Sequence, residues 1–186
     1  IMFIKVPEYH DRTDVDNDSI QDLASNMDEM GQLTPIIVEK TPDGFNLISG
    51  LRRLEAAHKL DWDSIDAIIL ENVSEEERIL IMITENAQRQ SLNDYDLVVS
   101  LLHFLAVSVE KSDDEIKNFL YKLKNVKDGK TKELTIDEKK LKKSLEDSIL
   151  KTNKYNLSSL SSKMKVLNFH PDIIQAMKEK KLLFIL

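Results

Sequence analysis

The chain of 186 residues contains no cysteine. It therefore has no disulfide framework, no thiolate zinc site and no cysteine nucleophile, which fits a reducing, cytoplasmic setting. Glycine and proline are scarce, with four residues each, and no low-complexity tract is present. No apolar run approaches the roughly 18–20 residues that would span a bilayer, so we expect no membrane partner. The sequence begins at Ile1 and stops inside an apolar run, so we expect a fragment of a longer protein.

The charges that are present divide unevenly along the chain. Residues 1–110 carry 8 Lys and Arg against 22 Asp and Glu, whereas residues 111–186 carry 18 against 11. Such a split favours two modules with different partners. A basic module can release counterions from DNA, although lysine-rich helices can also be simply solvated.

Alternating helix and strand patterns predict an α+β domain in residues 1–91. Short strands are indicated at 2–6, 35–40, 45–48 and 65–70, with a turn at residues 41–44. Helices are indicated at 19–30, 51–60 and 75–85, the last starting with the capping-box pair Ser74 and Glu77. We expect a small mixed sheet with helices.

Strand signals stop after Ser91. Helical patterns follow at about 93–109, 113–126, 136–152, 157–168 and 171–181, with Pro171 suited to a first helical turn. Residues 92–186 are therefore predicted to form an all-α, basic domain.

A strand that breaks at Gly50 and opens into a helix is the first cluster with chemical content. Unpaired amides and the helix dipole attract anions there, and glycine lets a phosphate approach the backbone closely. Arg52 and Arg53 add planar cationic donors. Alternatively, the two arginines pair with acids in this acidic half.

The second cluster lies at the end of the helix predicted at 75–85. It consists of Glu85, Asn86, Gln88 and Arg89. Carboxylate and amide oxygens are ligands that Mg²⁺ takes beside nucleotide phosphates, and Gln88 and Arg89 could hydrogen-bond a nucleotide. The alternative is a polar helix end at which Arg89 complements the dipole. No P-loop or nucleophile-elbow sequence is present, and we predict no catalytic residue.

Residues 157–165 have the character of a DNA-recognition helix, because small polar side chains allow close approach to the major groove. An ordinary surface helix remains the alternative. The candidate DNA-binding residues are Ser158, Ser159, Ser161, Ser162, Lys163 and Lys165.

Five sequence motifs follow one another along the chain. In chain order they are HDR at 10–12, GQLTPIIV at 31–38, ISGLRRLEAA at 48–57, ENAQR at 85–89 and KVLNFHPDII at 165–174. These motifs and their order resemble the ParB family of chromosome and plasmid partition proteins. The resemblance is specific through about residue 95 and looser afterwards, and residues 112–133 look like an insertion.

The resemblance implies a ParB/sulfiredoxin-like N-terminal domain followed by a helix-turn-helix domain. It implies a CTP- and Mg²⁺-gated clamp that slides on DNA from a palindromic parS-like site, working with a ParA-type ATPase in the nucleoid or on a plasmid. Arg12, Gly50, Arg52, Arg53 and Arg89 would hold phosphates, with Thr34 and Gln88 near the nucleotide. Glu85 and Asn86 would hold the metal, and residues 157–165 would be the recognition helix. A C-terminal dimerisation domain, which would make the full-length protein a homodimer, is absent.

Three departures from the family pattern matter. Leu51 replaces a glutamate of the G-E-R-R box, which puts slow CTP hydrolysis in doubt. Only the arginine of the Q-P-R segment is kept, at Arg12, and the helix-turn-helix lacks its usual glycine. Two other functions therefore stay open, a ParB-like transcriptional regulator without nucleotide gating and a ParB-like nuclease. For Arg53→Ala or Glu85→Ala we expect loss of CTP binding with the fold intact.

Overall fold

The computed structural model describes residues 1–7, 17–88 and 93–178, with only the backbone described at 86–88 and 178. The chain forms two compact units, Ile1–Met82 and Ile83–Leu186. The predicted domain boundary at residue 91 lies outside the described residues. The predicted fold class is confirmed, since a small mixed sheet with helices precedes a mostly helical region.

The first unit is built on a four-stranded mixed sheet in the order β1-β3-β2-β4. Its strands are β1 (Ile4–Lys5), β2 (Ile36–Thr41), β3 (Gly44–Ser49) and β4 (Ala67–Leu70). The turn signal at residues 41–44 joins β2 and β3 as an antiparallel hairpin, whereas β1 pairs with β3 and β4 with β2 in parallel.

Helices α1 (Asn17–Met30) and α2 (Leu51–Lys59) pack on each other in this unit. Ile20, Ala24 and Met27 recur at helical spacing on α1 and are buried together with Ala56 and Ala57 of α2. The two alanines allow close approach because they project only a methyl group. Leu54, on the same helix, is buried with Ile36, Val38 and Leu47 of the sheet, so α2 is fixed to both β2 and β3.

Helix α3 (Glu75–Gln88) begins at the predicted capping box, in which the Ser74 N–H donates to Glu77 Oε2 at 2.9 Å. The second unit contains α4 (Asp94–Ser108), α5 (Asp113–Lys127), α6 (Ile136–Leu150), α7 (Leu157–Lys163) and α8 (Pro171–Lys178). Side chains of Asn93, Ser112, Thr135 and Asn156 cap α4 to α7 in turn. Helix α4 is the central element, packed against α5, α6, α7 and α8.

The predicted helix at 157–168 is shorter in the structure, because α7 ends at Lys163 and a 3₁₀ segment covers Met164–Asn168. A tighter last turn is common at helix ends, and the chain must become extended at Phe169 before Pro171. Across the described ranges, no helix is both long enough and apolar enough to cross a membrane.

Candidate functional site

The turn at Gly50 brings the end of β3 to the beginning of α2. Gly50 has φ +107° and ψ 26°, a backbone conformation that side-chain-bearing residues rarely adopt. A Cβ added there would lie 2.6 Å from Ile36 Cγ2 and 3.3 Å from Arg53 Nη2. Both the dihedral angles and the close packing therefore require glycine at this turn.

The first turn of α2 suits an anion electrostatically. No side chain of the described residues caps it, and it contains no acidic residue. The Gly50 carbonyl accepts hydrogen bonds from the Arg53 and Leu54 N–H groups, each at 3.0 Å. The amides that precede these two have no partner within the helix, because a helix leaves its first N–H groups unsatisfied. Backbone amides at a helix start are groups that can bind a phosphate.

Arg53 holds the backbone that leads into β2. Its side chain is buried, and Nη1 donates to the carbonyl oxygen of Thr34 at 2.9 Å and to that of Pro35. Because Nη2 lies beside Gly50, the same guanidinium puts a positive charge next to the turn. Arg53 therefore has a structural role and also places a cation beside the predicted phosphate site.

Arg52 and Thr34 are each joined to another residue by a hydrogen bond. Arg52 Nη2 donates to the Ser19 carbonyl of α1 at 2.7 Å. The Thr34 carbonyl also accepts from Gln32 Nε2 at 2.9 Å, so the loop before β2 is tied from two directions. The structure therefore brings Thr34, Gly50 and Arg53 together.

The second predicted cluster is only partly described. Glu85 is half-buried near the end of α3 and belongs to the second unit, whereas Gly50 belongs to the first. The Asn86 and Gln88 positions are helical, and Arg12 and Arg89 lie outside the described residues. Within the described ranges, no three His, Cys, Asp or Glu side chains converge on one point. Glu85 has carboxylate oxygens of the kind Mg²⁺ prefers, and metal binding at Glu85 and Asn86 stays a prediction.

Leu51 packs against the apolar cluster formed by β2, β3 and Leu54. The departure from the G-E-R-R pattern therefore contributes core packing. It leaves the first turn of α2 without a carboxylate that could repel phosphate or act on it.

Helix α7 follows α6 after a short turn. Asn153 in that turn has φ +56°, and asparagine tolerates this left-handed conformation better than most residues. Asn156 Oδ1 accepts from the Ser159 N–H at 2.8 Å, and Ser159 Oγ accepts from the Asn156 N–H at 3.1 Å. The helix start is well defined even though α7 is short.

The six predicted DNA-binding side chains separate into two groups. Ser158, Ser161, Ser162 and Lys165 line one groove beside α5 and α6. In contrast, Ser159 closes the helix cap, and Lys163 donates to Asp94 Oδ1 in the first turn of α4. DNA contact stays a prediction for all six.

The environment of Asp94 is partly buried. Side chains of Lys163 and Asp94 are 29% and 20% exposed, so this ion pair is shielded from solvent more than most pairs on the described surface. Burial, and secondarily the negative charge of Asp94, raise the pKa of the neighbouring Tyr155. These contacts fix the end of α7 to α4.

Sequence reasoning missed Lys124 and Lys127, which lie on the α5 side of the same groove. Their only signal in the sequence was a spacing of three residues near the end of a helix, a pattern that also serves to complement the helix dipole.

Comparison with known proteins gives consistent matches. Residues 1–87 match the model of the ParB N-terminal domain. The probable plasmid-partitioning protein ParB of Thermus thermophilus is 32% identical over 116 residues, which are 62% of this chain and 39% of that protein. The nucleoid occlusion protein of a Geobacillus species is 38% identical over 85 residues, 45% of this chain and 30% of that protein. The chain therefore spans less than half the length of either relative.

Among solved structures, a Pnob8-like ParB-N domain aligns with a TM-score of 0.56 at 15% identity, covering 97% of this chain and 71% of that one. At this identity the likeness concerns the fold alone.

Proposed function

Because the chain belongs to the ParB family through its N-terminal residues 1–87, we propose that it is a DNA-binding partition protein whose first unit binds CTP with Mg²⁺. The Gly50 turn carries the proposal. It combines a backbone conformation open only to glycine, a helix start without a side-chain cap and a guanidinium beside the turn.

The role proposed for each element follows from its chemistry. Amides of the first turn of α2 and the Arg53 guanidinium hold phosphate oxygens, and Arg52, Arg12 and Arg89 add positive charge. Glu85 and Asn86 hold the Mg²⁺ that CTP brings, with Thr34 and Gln88 near the nucleotide. When bound, the metal neutralises the phosphate charge. With Leu51 in the core, the site is better suited to binding the nucleotide than to cleaving it.

The second unit is proposed to bind duplex DNA at a palindromic parS-like site through α6, the turn after it and α7, in the manner of a helix-turn-helix. Its serines and Lys165 allow close approach to DNA and neutralise phosphates. In this proposal, CTP gates the closing of a homodimeric clamp in the cytoplasm, and a ParA-type ATPase moves the DNA-bound protein.

Isothermal titration of the chain with CTP, UTP, GTP and ATP in the presence of Mg²⁺ tests the nucleotide role. We expect heat with CTP and a lower affinity for Glu85→Gln, by roughly tenfold or more, because a charge-assisted contact contributes about 1.5–3 kcal/mol. Glu29→Gln, in the exposed part of α1, is the matched control and should bind as the wild type does. No heat with any nucleotide would contradict the proposal.

Leu51 favours one other function, a ParB-like regulator that binds DNA without a nucleotide. Measuring DNA retention with and without CTP distinguishes the CTP-gated clamp from this regulator. Retention that rises with CTP supports the gated clamp, and retention that ignores CTP supports the regulator.

A further inference from the structure

A groove of about 540 Å³ lies between α7, the last turn of α5 and the middle of α6. On the α7 side it is lined by Ser158, Ser161 and Ser162, with Lys165 just beyond the helix. On the α5 side it is lined by Lys124 and Lys127. All of these residues belong to the second unit, so the groove is a feature of that unit alone.

The groove has an excess of positive charge. Four of its residues are lysines and two are acidic. Both carboxylates already face a lysine, since Glu146 Oε1 lies 3.5 Å from Lys142 Nζ and Asp128 Oδ2 lies 3.3 Å from Lys130 Nζ. The negative charges in the groove are therefore largely neutralised before any ligand arrives.

The remaining three lysines have no such neighbour. Within residues 1–7, 17–88 and 93–178, no carboxylate lies at ion-pair distance from Lys124, Lys127 or Lys165. Lys124 and Lys127 are three residues apart, which places both on one face of α5. Three ammonium groups thus line the groove without an internal counterion.

Lys124 and Lys127 could also be explained by their place at the end of α5, because cations near a helix C-terminus complement its dipole. That role does not require them to line the same groove as the α7 serines. Any lysine around the last turn would serve it equally well.

We propose that Lys124 and Lys127 contact DNA phosphates beside α7, so that the end of α5 forms part of the DNA interface. The inference rests on the proposed function and extends its DNA site to a helix end that the sequence did not indicate. Duplex DNA is the occupant that fits best, because hydroxyl groups on one wall can pair with phosphate oxygens or base edges while the lysines opposite neutralise the backbone.

The test compares two double variants over a range of salt concentrations. Lys124→Gln with Lys127→Gln removes the two charges from the groove, and Lys111→Gln with Lys117→Gln removes two charges near the opposite end of α5. Affinity for a mixed-sequence duplex is measured for the wild type and both variants. For the groove variant we expect the slope of log affinity against log salt to fall by roughly 1.8, since each phosphate contact contributes about 0.9.

The control variant should keep a slope close to that of the wild type. Lys124→Arg with Lys127→Arg should restore the slope, because charge is what the proposal requires. A groove variant with the wild-type slope, or an equal fall in both double variants, would overturn the inference while leaving DNA binding itself in place. If the wild type binds no duplex, the proposed function fails with it.

Discussion

The two units use their basic residues in opposite ways. Residues 1–82 carry 7 Lys and Arg against 18 Asp and Glu, whereas residues 83–186 carry 19 against 15. In the first unit, Arg52 and Arg53 reach backbone carbonyls and are part of the architecture. In the second, lysines such as Lys124 and Lys165 line an open groove. A few arginines held by hydrogen bonds suit one small anion, whereas several lysines along a groove suit an extended polyanion.

This difference changes what mutations mean in each unit. Under the proposed function, replacing Arg53 of the first unit would remove a phosphate contact together with its structural hydrogen bonds. Replacing a groove lysine such as Lys124 or Lys165 of the second unit would mainly remove charge. Stability and binding should therefore be coupled in the first unit and separable in the second.

The largest expected effect is on Gly50. Gly50→Ala should lower the free energy of unfolding by about 2–4 kcal/mol, because it combines an unfavourable positive φ with a methyl group forced against Ile36. Gly31→Ala is the matched control, since Gly31 also has a positive φ but nothing within 4 Å of an added Cβ. Gly31→Ala should lower the free energy of unfolding by only about 1–2 kcal/mol. Equal losses in urea denaturation would show that the close packing at Gly50 is unimportant.

Arg53→Ala should have the second-largest effect on stability. It should lower the free energy of unfolding by about 1.5–3 kcal/mol, because the carbonyls of Thr34 and Pro35 lose a charged donor. The expectation that the variant keeps its fold intact stays a prediction, with this loss of stability added to it. Any fall in CTP affinity must accordingly be measured where the variant is still folded. The melting temperature of Arg53→Ala is compared with that of the control variant Lys59→Ala, which changes an exposed residue at the end of α2. An unchanged melting temperature for Arg53→Ala would contradict its structural role.

In the second unit, Lys165→Ala and Lys163→Ala should differ. Lys165 is exposed and lines the groove, so its loss should lower the salt slope of DNA binding by about 0.9. Lys163 is held by Asp94, so its loss should change the slope less and reduce stability instead. The same slope for both variants would mean that the Asp94 contact does not withhold Lys163 from DNA.

The smallest effect concerns acid stability. The pKa of Glu115 is lowered from 4.5 to about 2, first by the Ser112 N–H that donates to it and then by Lys111 and the Ser112 hydroxyl. Because the folded-state pKa is lowered, the ionised Glu115 stabilises the fold above pH 4.5, and this contribution is lost as the pH falls towards 2. Glu115→Gln removes the titrating carboxylate of the capping box and should therefore flatten the pH dependence of unfolding in that window. An identical profile for variant and wild type would rule out the capping box as its cause.

Local signals in the sequence predicted most elements of both units. The Ser74 and Glu77 pair marked the start of α3, and the turn at residues 41–44 marked the β2–β3 hairpin. The parallel pairing of β1 with β3 and of β4 with β2 could not be predicted, because it depends on contacts between distant segments.

The candidate site was predictable to the same degree. Gly50 was identified from a strand that ends at a glycine before a helix, and the structure has a glycine-specific positive φ there. Phosphate binding at this turn stays a prediction. The bonds from Arg53 to Thr34 and Pro35 and the contact between Lys163 and Asp94 could not be predicted, since each joins residues far apart in sequence. Such contacts decide whether a charged side chain is available to a ligand.

The central claim is that the first turn of α2 binds the phosphates of CTP. Amide NMR spectra of the chain titrated with CTP and Mg²⁺ test it most directly. We expect the N–H signals of Leu51, Arg52 and Arg53 to shift most within α2, with little change at its last turn around His58 and Lys59. Saturable CTP binding that leaves the Leu51–Arg53 signals unmoved would contradict it.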